Sequence, residues 1–298
     1  MAMTSQHTHA RGDAPGQGHG HDAAPNDSMT ALLDLDGEVL HDYWSAALDW
    51  AASAAGGARL LVDLGAGTGT GALGLAERIP AAAVIAVDVQ PGALARLRDK
   101  AAGRGLDGRV RTLEFDLDAG WPDLGTPDLT WASMSLHHLA DPGRVLGDAL
   151  AATRPGGLIA VAEFAEPLRF LPPDLGFGRP GFEDRLAERL GHAHAEELPT
   201  LGSAWAPRLA AAGWEVTAER EFAIDLDPPA HPRAVEYARA WFTRLADGFA
   251  DRLEPDDQAT LAALLSEDGD GDGDGRLRRG TDLRIRGTRT VTLARRPG

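Results

Sequence analysis

LLVDLGAGTG, residues 60–69, is the stretch that decides the fold of this chain. Its short apolar run ends at Asp63, and Gly65, Gly67 and Gly69 then follow at every second position. This pattern predicts a buried parallel strand that ends in a tight turn at the start of a helix. Glycines let the backbone of such a turn approach a ligand, and the amides of the helix N-terminus point at the same place. An acid before the turn favours a cationic or hydroxyl-rich ligand over a phosphate.

The composition is that of a globular chain with a negative surface. The chain has 298 residues, 43% hydrophobic and 25% charged, which suffices for one large domain or two ordinary ones. A net charge of -16 disfavours nucleic acid as a partner, and the lack of cysteine excludes thiolate chemistry. No apolar run approaches the ~20 residues of a bilayer span, and residues 1–27 show no secretory pattern. We therefore expect a cytoplasmic protein with no membrane contact.

Strand-like and helix-like patterns alternate through the middle of the chain. The strand-like runs are Arg59–Leu64, Val84–Asp88, Val110–Phe115, Leu129–Met134 and Leu158–Phe164. The helix-like runs between them include Thr70–Arg78, Ala93–Ala102 and Arg144–Thr153. Regular alternation of this kind predicts an α/β fold, with a parallel sheet covered by helices on both faces.

Acids follow the second and third of these strands. Asp88 ends one run and Asp116 follows the next. Because parallel strands end at one edge of a sheet, both acids are expected near the glycine turn, where a carboxylate can bind a ribose diol. The alternative is that the two acids only cap helices or turns. The fourth strand continues into Leu136–Leu139, which contains two histidines, and the turn Arg154–Gly157 precedes the fifth.

With these elements the chain resembles the class I S-adenosylmethionine-dependent methyltransferases, specifically their small-molecule branch. The match comprises the loop from Asp63 to Gly69, Asp88, Asp116 and the stretches 136–139 and 154–157, in the family's order. The resemblance implies a Rossmann-like, seven-stranded, mostly parallel sheet with an antiparallel last strand. It also implies a helical N-terminal lid and helical insertions.

Composition, apolar spacing and the resemblance together predict four regions along the chain. Residues 1–28 would be a disordered tail rich in His and Gly, and residues 29–56 a helical segment. Residues 57–165 would form the cofactor-binding core. Residues 166–298 would complete the sheet and cap the acceptor, with a flexible acidic loop at 267–275.

The implied cofactor is S-adenosylmethionine, and the glycine loop would hold its methionine part. Gly65, Ala66 and Gly67 would pass under that part, with Gly69 in the same loop and Asp63 near the amino group.

The nucleoside part would be held by the next two strand ends. Asp88 would bind the ribose hydroxyls and Val89 would pack on the adenine. Asp116 would accept a hydrogen bond from the adenine amino group, and Leu117 would cover the ring.

The fourth strand end would face the sulfonium through Ser133 and Met134. His137 and His138 follow, and a histidine there suits a general base for the methyl acceptor. Neighbouring residues cannot both face the site, so solvated or capping roles, and catalysis by proximity alone, stay open. No metal is expected: the Asp-Gly repeat 268–275 lacks the twelfth-position glutamate of a calcium loop.

The expected function is therefore methyl transfer to O, N or C of a small organic acceptor, by a monomer or homodimer. A protein that binds the cofactor without turnover is the alternative, and the acidic surface disfavours protein or RNA methylation. An NAD-dependent oxidoreductase is less favoured. The first glycine of its G-x-G-x-x-G pattern should follow the strand closely, but the pattern here begins at Gly69, after Gly65 and Gly67 have already formed the turn. Gly71 and Gly74 are instead expected to let the helix pack closely on the sheet.

Aromatic residues around the site are ambiguous between acceptor contacts and core packing. Residues 42–44, Asp-Tyr-Trp, could cover the cofactor or pack in the core. The expected roof of the acceptor site contains Phe170, Phe177, Phe182, Trp205, Tyr237, Trp241 and Phe242. Arg289 falls on the apolar side of the last strand, and the sequence offers no explanation for it.

Overall fold

The computed structural model describes residues 27–198, 200–227, 231–266, 277 and 283–298. The strands are β1 Leu60–Leu64, β2 Ala83–Asp88, β3 Val110–Glu114, β4 Leu129–Ser133, β5 Leu158–Arg169, β6 Glu215–Leu226 and β7 Ile285–Arg295. The helices are α1 Asp27–Val39, α2 His41–Ala54, α3 Thr70–Arg78, α4 Pro91–Gly103, α5 Pro142–Ala152, α6 Phe182–Glu197, α7 Trp205–Ala211, α8 Ala234–Phe249 and α9 Pro255–Leu265. The predicted tail, apart from its last two residues, and the acidic loop at 267–275 lie outside the described residues.

Across the described ranges the strands form one seven-stranded sheet in the order β3-β2-β1-β4-β5-β7-β6. β1 to β5 are mutually parallel, and β7 runs antiparallel to both β5 and β6. The predicted fold class, including the antiparallel last strand, is confirmed. The strand order reverses between β1 and β4, so their carboxyl ends flank the crevice where such sheets bind ligands.

Successive residues of the parallel strands point to opposite faces of the sheet, so alternate residues contribute to two apolar layers, one on each face. Leu61 and Trp131 are fully buried on the face covered by α2 and α3. Val62 and Leu64 point to the opposite face and pack with residues of α5 and α7. Burial of both faces accounts for the nearly continuous apolar runs of β1 and β4.

Helix boundaries differ from the sequence prediction where capping residues extend a helix. α4 begins at Pro91 and α5 at Pro142, both upstream of the predicted starts, because proline suits the first helical position. The Asp141 carboxylate caps α5 by accepting a hydrogen bond from the Arg144 amide at 2.9 Å. Within the described ranges, none of the helices combines the length and apolar character that a bilayer span needs.

Candidate cofactor site and acceptor cavity

A cavity of about 1250 Å³ lies at the carboxyl ends of β1, β2, β4 and β5. We call the part lined by residues within 63–71, 88–93, 115–118 and 131–136 the cofactor half. The part lined by residues within 164–169, 183–191 and 237–244, together with Asp36 and Arg289, is the acceptor half. The sequence-predicted cofactor residues Asp63, Gly65, Ala66, Gly67, Asp88, Val89, Asp116, Leu117, Ser133 and Met134 all line the cavity.

The glycine loop has backbone conformations and close contacts that only glycine accommodates without strain. Gly65, Gly67 and Gly69 have φ values of 68°, 51° and 88°, which glycine adopts readily. The Gly65 and Ala66 amides donate to the Val87 carbonyl at 2.8 and 2.9 Å, which fixes the loop against β2. A Cβ on Gly65 would lie 2.3 Å from that of Ser135, so the position admits no side chain. Gly69 does not itself line the cavity but begins α3 as its N-cap.

Asp88 is held in place by the backbone on both sides. Its Oδ2 accepts from the Gly67 amide and its Oδ1 from the Gln90 amide, each at 2.8 Å. A carboxylate oxygen can accept a second hydrogen bond, so Asp88 retains capacity for a ligand's hydroxyls. Beside it, Val89 is 52% exposed, although large apolar side chains are commonly buried. An exposed apolar side chain at this edge offers a surface for an aromatic ring.

Asp116 and Leu117 form the next part of the cavity wall. The Asp118 amide donates to Asp116 Oδ1 at 2.9 Å, so Asp116 does cap a turn, as the alternative interpretation holds. Its exposed carboxylate also lines the cavity, so capping does not remove it from the candidate site. Leu117 is buried next to it and supplies an apolar wall.

Asp63 is the most perturbed acid of the cofactor half. It is 2% exposed, and its Oδ2 has no hydrogen-bond partner among the residues that the structure describes. Burial raises its pKa to about 7, and the nearby charge of Asp88 adds to the rise, although the Ala72 amide opposes it. A buried acid without a partner is unfavourable unless a ligand supplies one. A cationic group placed here would fulfil that need.

The end of β4 carries a strained residue at the cavity wall. Met134 has a φ of 52° and is, within the described ranges, the one non-glycine residue with a positive φ. Such a conformation costs about 1–3 kcal/mol and is concentrated at functional positions. The neighbouring Ser133 hydroxyl is buried and unpaired with any described residue. The cavity wall at the end of β4 therefore contains the unpaired hydroxyl of Ser133 and the strained backbone of Met134.

The two histidines lie in different environments, as expected for adjacent residues. His137 is buried and does not line the cavity, and its Nδ1 lies 2.7 Å from Oε2 of the equally buried Glu163. His138 is exposed and lines the cavity, with its ring centroid 4.2 Å from that of His137. Of the predicted pair, only His138 can touch a ligand in the cavity. Sequence reasoning missed Glu163, although an acid inside an apolar strand run was a usable signal.

A second buried cluster, centred on Asp36 of α1, was also missed. The Asp36 carboxylate accepts from Trp44 Nε1 at 2.9 Å, from the Tyr237 hydroxyl at 2.7 Å and from both terminal nitrogens of Arg289 at 3.1 and 2.5 Å. Burial alone would raise the Asp36 pKa, but the Arg289 charge and these hydrogen bonds together lower it. The Arg289 guanidinium also lies 4.7 Å from the Tyr43 ring centroid, a cation–π distance. Arg289 can therefore lie on the apolar side of β7, because Asp36 pairs with its charge and the Tyr43 ring packs against it.

α1 is the element that covers the cofactor half. Leu33 lies over Gly67, and a Cβ on Gly37 would lie only 2.6 Å from Thr70 Oγ1. The ammonium of Lys100, the single lysine of the sequence, donates to Asp34 on α1 at 2.8 Å. α1 therefore acts as the helical lid. Of the stretch 42–44, Trp44 lines the cavity, Tyr43 is buried beside it and Asp42 is exposed.

The remaining predicted positions divide between the cavity and the core. Among the expected roof aromatics, Tyr237 and Trp241 line the cavity. Phe170, Phe182, Trp205 and Phe242 are buried in the core instead. Gly71 packs against Trp131 and Asp63 of the sheet as predicted. Gly74 faces Leu48 of α2 rather than the sheet, because α2 covers that side of α3.

Comparison with known proteins gives consistent matches. A family model described as a methyltransferase domain matches residues 61–157. The chain is 41% identical over 108 residues to a demethylmenaquinone methyltransferase of Thermus thermophilus, covering 36% of this chain and 48% of that protein. It is 31% identical over 196 residues to a trans-aconitate 2-methyltransferase of Methylobacterium radiotolerans, covering 57% and 72%.

The match to the first of these relatives is partial, and the structural match concerns the fold. The chain spans about half the length of the first curated relatives that it matches. A Bacillus halodurans protein provisionally named a methyltransferase superposes with a TM-score of 0.53 at 16% identity. That superposition covers 85% of this chain and all of the other.

Proposed function

Because the chain belongs to the class I S-adenosylmethionine-dependent methyltransferases, we propose that it transfers a methyl group from S-adenosylmethionine to an oxygen, nitrogen or carbon atom of a small organic acceptor. Relatives named for demethylmenaquinone and trans-aconitate support a small-molecule acceptor. The observation that carries the proposal is the unpaired carboxylate oxygen of Asp63, buried beside the glycine loop among the described residues.

The residues of the cofactor half fit this cofactor. Asp63 would hold the ammonium of the methionine part, and Asp88 the ribose hydroxyls. Val89 and Leu117 would contact the adenine, whose amino group would donate to Asp116. When bound, S-adenosylmethionine supplies a methyl group that its positive sulfur already activates. The carboxylates of this half complement that positive charge.

The chain's own residues would then mainly align the acceptor and exclude water. Ser133 and Met134 line the cavity at the end of β4, and Trp44 and Trp241 line its apolar walls. His138 would take the proton of a hydroxyl or ammonium acceptor, because a neutral imidazole is a suitable base near pH 7. The buried pair His137 and Glu163 would position that ring from behind.

A turnover assay tests the proposal against its alternative. The purified chain is incubated with S-adenosylmethionine and a panel of phenols, carboxylic acids, quinols and amines, and S-adenosylhomocysteine is quantified. The proposal expects acceptor-dependent product. A protein that binds the cofactor without turnover would bind S-adenosylhomocysteine in calorimetry yet give no product with any acceptor. Binding of NAD in place of S-adenosylhomocysteine would contradict both functions.

A further inference from the structure

The acceptor half is lined by one face each of α6 and α8. On α8, Tyr237, Trp241 and Arg244 line the cavity about one helical turn apart, which places them on one side of the helix. The lining residues of α6 recur with a similar helical spacing and are Glu183, Leu186, Ala187, Leu190 and Gly191. The space between these stripes is therefore walled mainly by apolar side chains.

Burial along the two stripes shows where this space opens. Tyr237 is 2% exposed, Trp241 is half-buried and Arg244 is exposed. On α6, Leu186 is 2% exposed, whereas Leu190 is half-buried. Both stripes thus run from a deep end to an exposed end. Arg244 stands at the exposed end, at the mouth of the acceptor half.

Charges differ between the two halves of the cavity. The lining residues of the cofactor half include the carboxylates Asp63, Asp88, Asp116 and Asp118. The acceptor half instead has three arginines, Arg169, Arg244 and Arg289, against two carboxylates, Asp36 and Glu183.

Of these three arginines, only Arg244 lacks a hydrogen-bond or ion-pair partner among the residues that the structure describes. Arg289 is paired with Asp36, and Arg169 donates to the backbone carbonyl of Glu183. No hydrogen bond or ion pair joins Arg244 to any residue in the described part of the chain. An unpaired guanidinium at the mouth of an apolar space favours a carboxylate or another anion and repels cations.

We infer that the acceptor is a small organic anion, whose apolar body fills the space between α6 and α8 and whose negative group binds Arg244 at the mouth. This inference rests on the proposed function and names its substrate class. The atom to be methylated then lies at the opposite end of the body, towards Ser133 and Met134. A cationic group at the end of the body that meets Arg244 is disfavoured, because like charges repel there.

Three fluorescent probes of similar body and different charge test the inference. They are 8-anilinonaphthalene-1-sulfonate (an anion), N-phenyl-1-naphthylamine (neutral) and dansylcadaverine (a cation). Each is titrated into the full chain saturated with S-adenosylhomocysteine. Arg244→Met should weaken binding of the anion by up to about fivefold and leave the neutral probe unchanged, since an exposed charge contributes up to about 1 kcal/mol. Arg244→Glu should weaken the anion further and strengthen the cation.

The matched control is Arg111→Met, because Arg111 is exposed on β3 and does not line the cavity. All three affinities should stay at wild-type values in that variant. Equal binding of the anion by wild type and Arg244→Met, with S-adenosylhomocysteine still bound, would overturn the inference and leave the proposed function standing. Failure of the wild-type chain to bind S-adenosylhomocysteine would overturn both.

Discussion

Arg289 of β7 and Asp36 of α1 lie 253 positions apart in sequence and form a buried ion pair, with Nη2 2.5 Å from Oδ2. Arg289 is 2% exposed, and its partner also accepts from Tyr237 of α8 and Trp44 of α2. The pair therefore joins the lid helix, the last strand and the acceptor roof at one point. Removal of one partner would leave the other charge buried and uncompensated.

Asp36→Asn tests this junction. We expect the free energy of unfolding, measured in urea, to fall by about 3–5 kcal/mol, since an unpaired buried charge is strongly unfavourable. The control is Asp49→Asn, whose exposed carboxylate pairs with Arg78 and should contribute no more than about 1 kcal/mol. Equal losses in the two variants would show that the buried pair does not hold the lid.

Gly65→Ala separates close packing from backbone strain. Gly65 and Gly105 have nearly equal φ values, 68° and 67°, but a Cβ on Gly105 meets nothing within 4 Å. Both variants should lose about 1–3 kcal/mol of stability through strain. Only Gly65→Ala should also lower the affinity for S-adenosylhomocysteine, at least tenfold in calorimetry, because it displaces the loop against Ser135. A normal affinity in that variant would place the ligand elsewhere.

The pKa of Asp63 gives a pH-dependent binding prediction. With a pKa of about 7 the free protein carries a proton on Asp63 at pH 6, whereas the ammonium of S-adenosylhomocysteine favours the carboxylate. Binding should therefore release about one proton at pH 6 and almost none at pH 8.5, so affinity rises between these values. Calorimetry in two buffers of different ionisation enthalpy measures this release, which Asp63→Asn should abolish. A wild-type affinity independent of pH would refute the role of Asp63.

The same raised pKa determines how the stability of the ligand-free protein changes with pH. Asp63 titrates near 3.8 when unfolded and near 7 when folded, so between these values the folded state holds the extra proton. Its contribution to stability is present below about pH 4 and is lost as the pH rises through 7. The free energy of unfolding of Asp63→Asn should lack this decrease.

His138→Asn tests the proposed base once an acceptor is known. The expected result is a decrease in kcat of about 10²–10⁴-fold, with unchanged affinity for S-adenosylhomocysteine. His41→Asn is the matched control, because His41 is exposed on α2 and does not line the cavity. An unchanged kcat in His138→Asn would mean that alignment alone accounts for catalysis.

Local signals and long-range contacts explain what the sequence could predict. The positions of Asp63, Asp88 and Asp116 follow from strand ends within a few residues, so the pattern of apolar runs and glycines located them. Asp36 and Arg289 interact only because the last strand lies beside the lid, which no local pattern encodes. The anomalous placement of Arg289 on the apolar side was the available signal, and a buried arginine needs a partner.

The limits of the histidine prediction have a similar cause. Adjacent His137 and His138 are equivalent in a sequence pattern. They differ in the structure because Glu163 of β5 pairs with the first and leaves the second at the cavity. That difference depends on which residues of β4 and β5 lie side by side in the sheet, and the spacing of motifs along the sequence does not predict it.

Calorimetric titration of S-adenosylhomocysteine into wild type and Asp88→Ala tests the central claim most directly. Asp88 is the carboxylate that both strengthens the glycine loop, through the Gly67 amide, and is placed to bind the ribose. We predict saturable one-site binding by the wild type and at least tenfold weaker binding by a folded Asp88→Ala variant, as loss of charged hydrogen bonds requires. Unchanged affinity in that variant, or no binding by the wild type, would contradict the account.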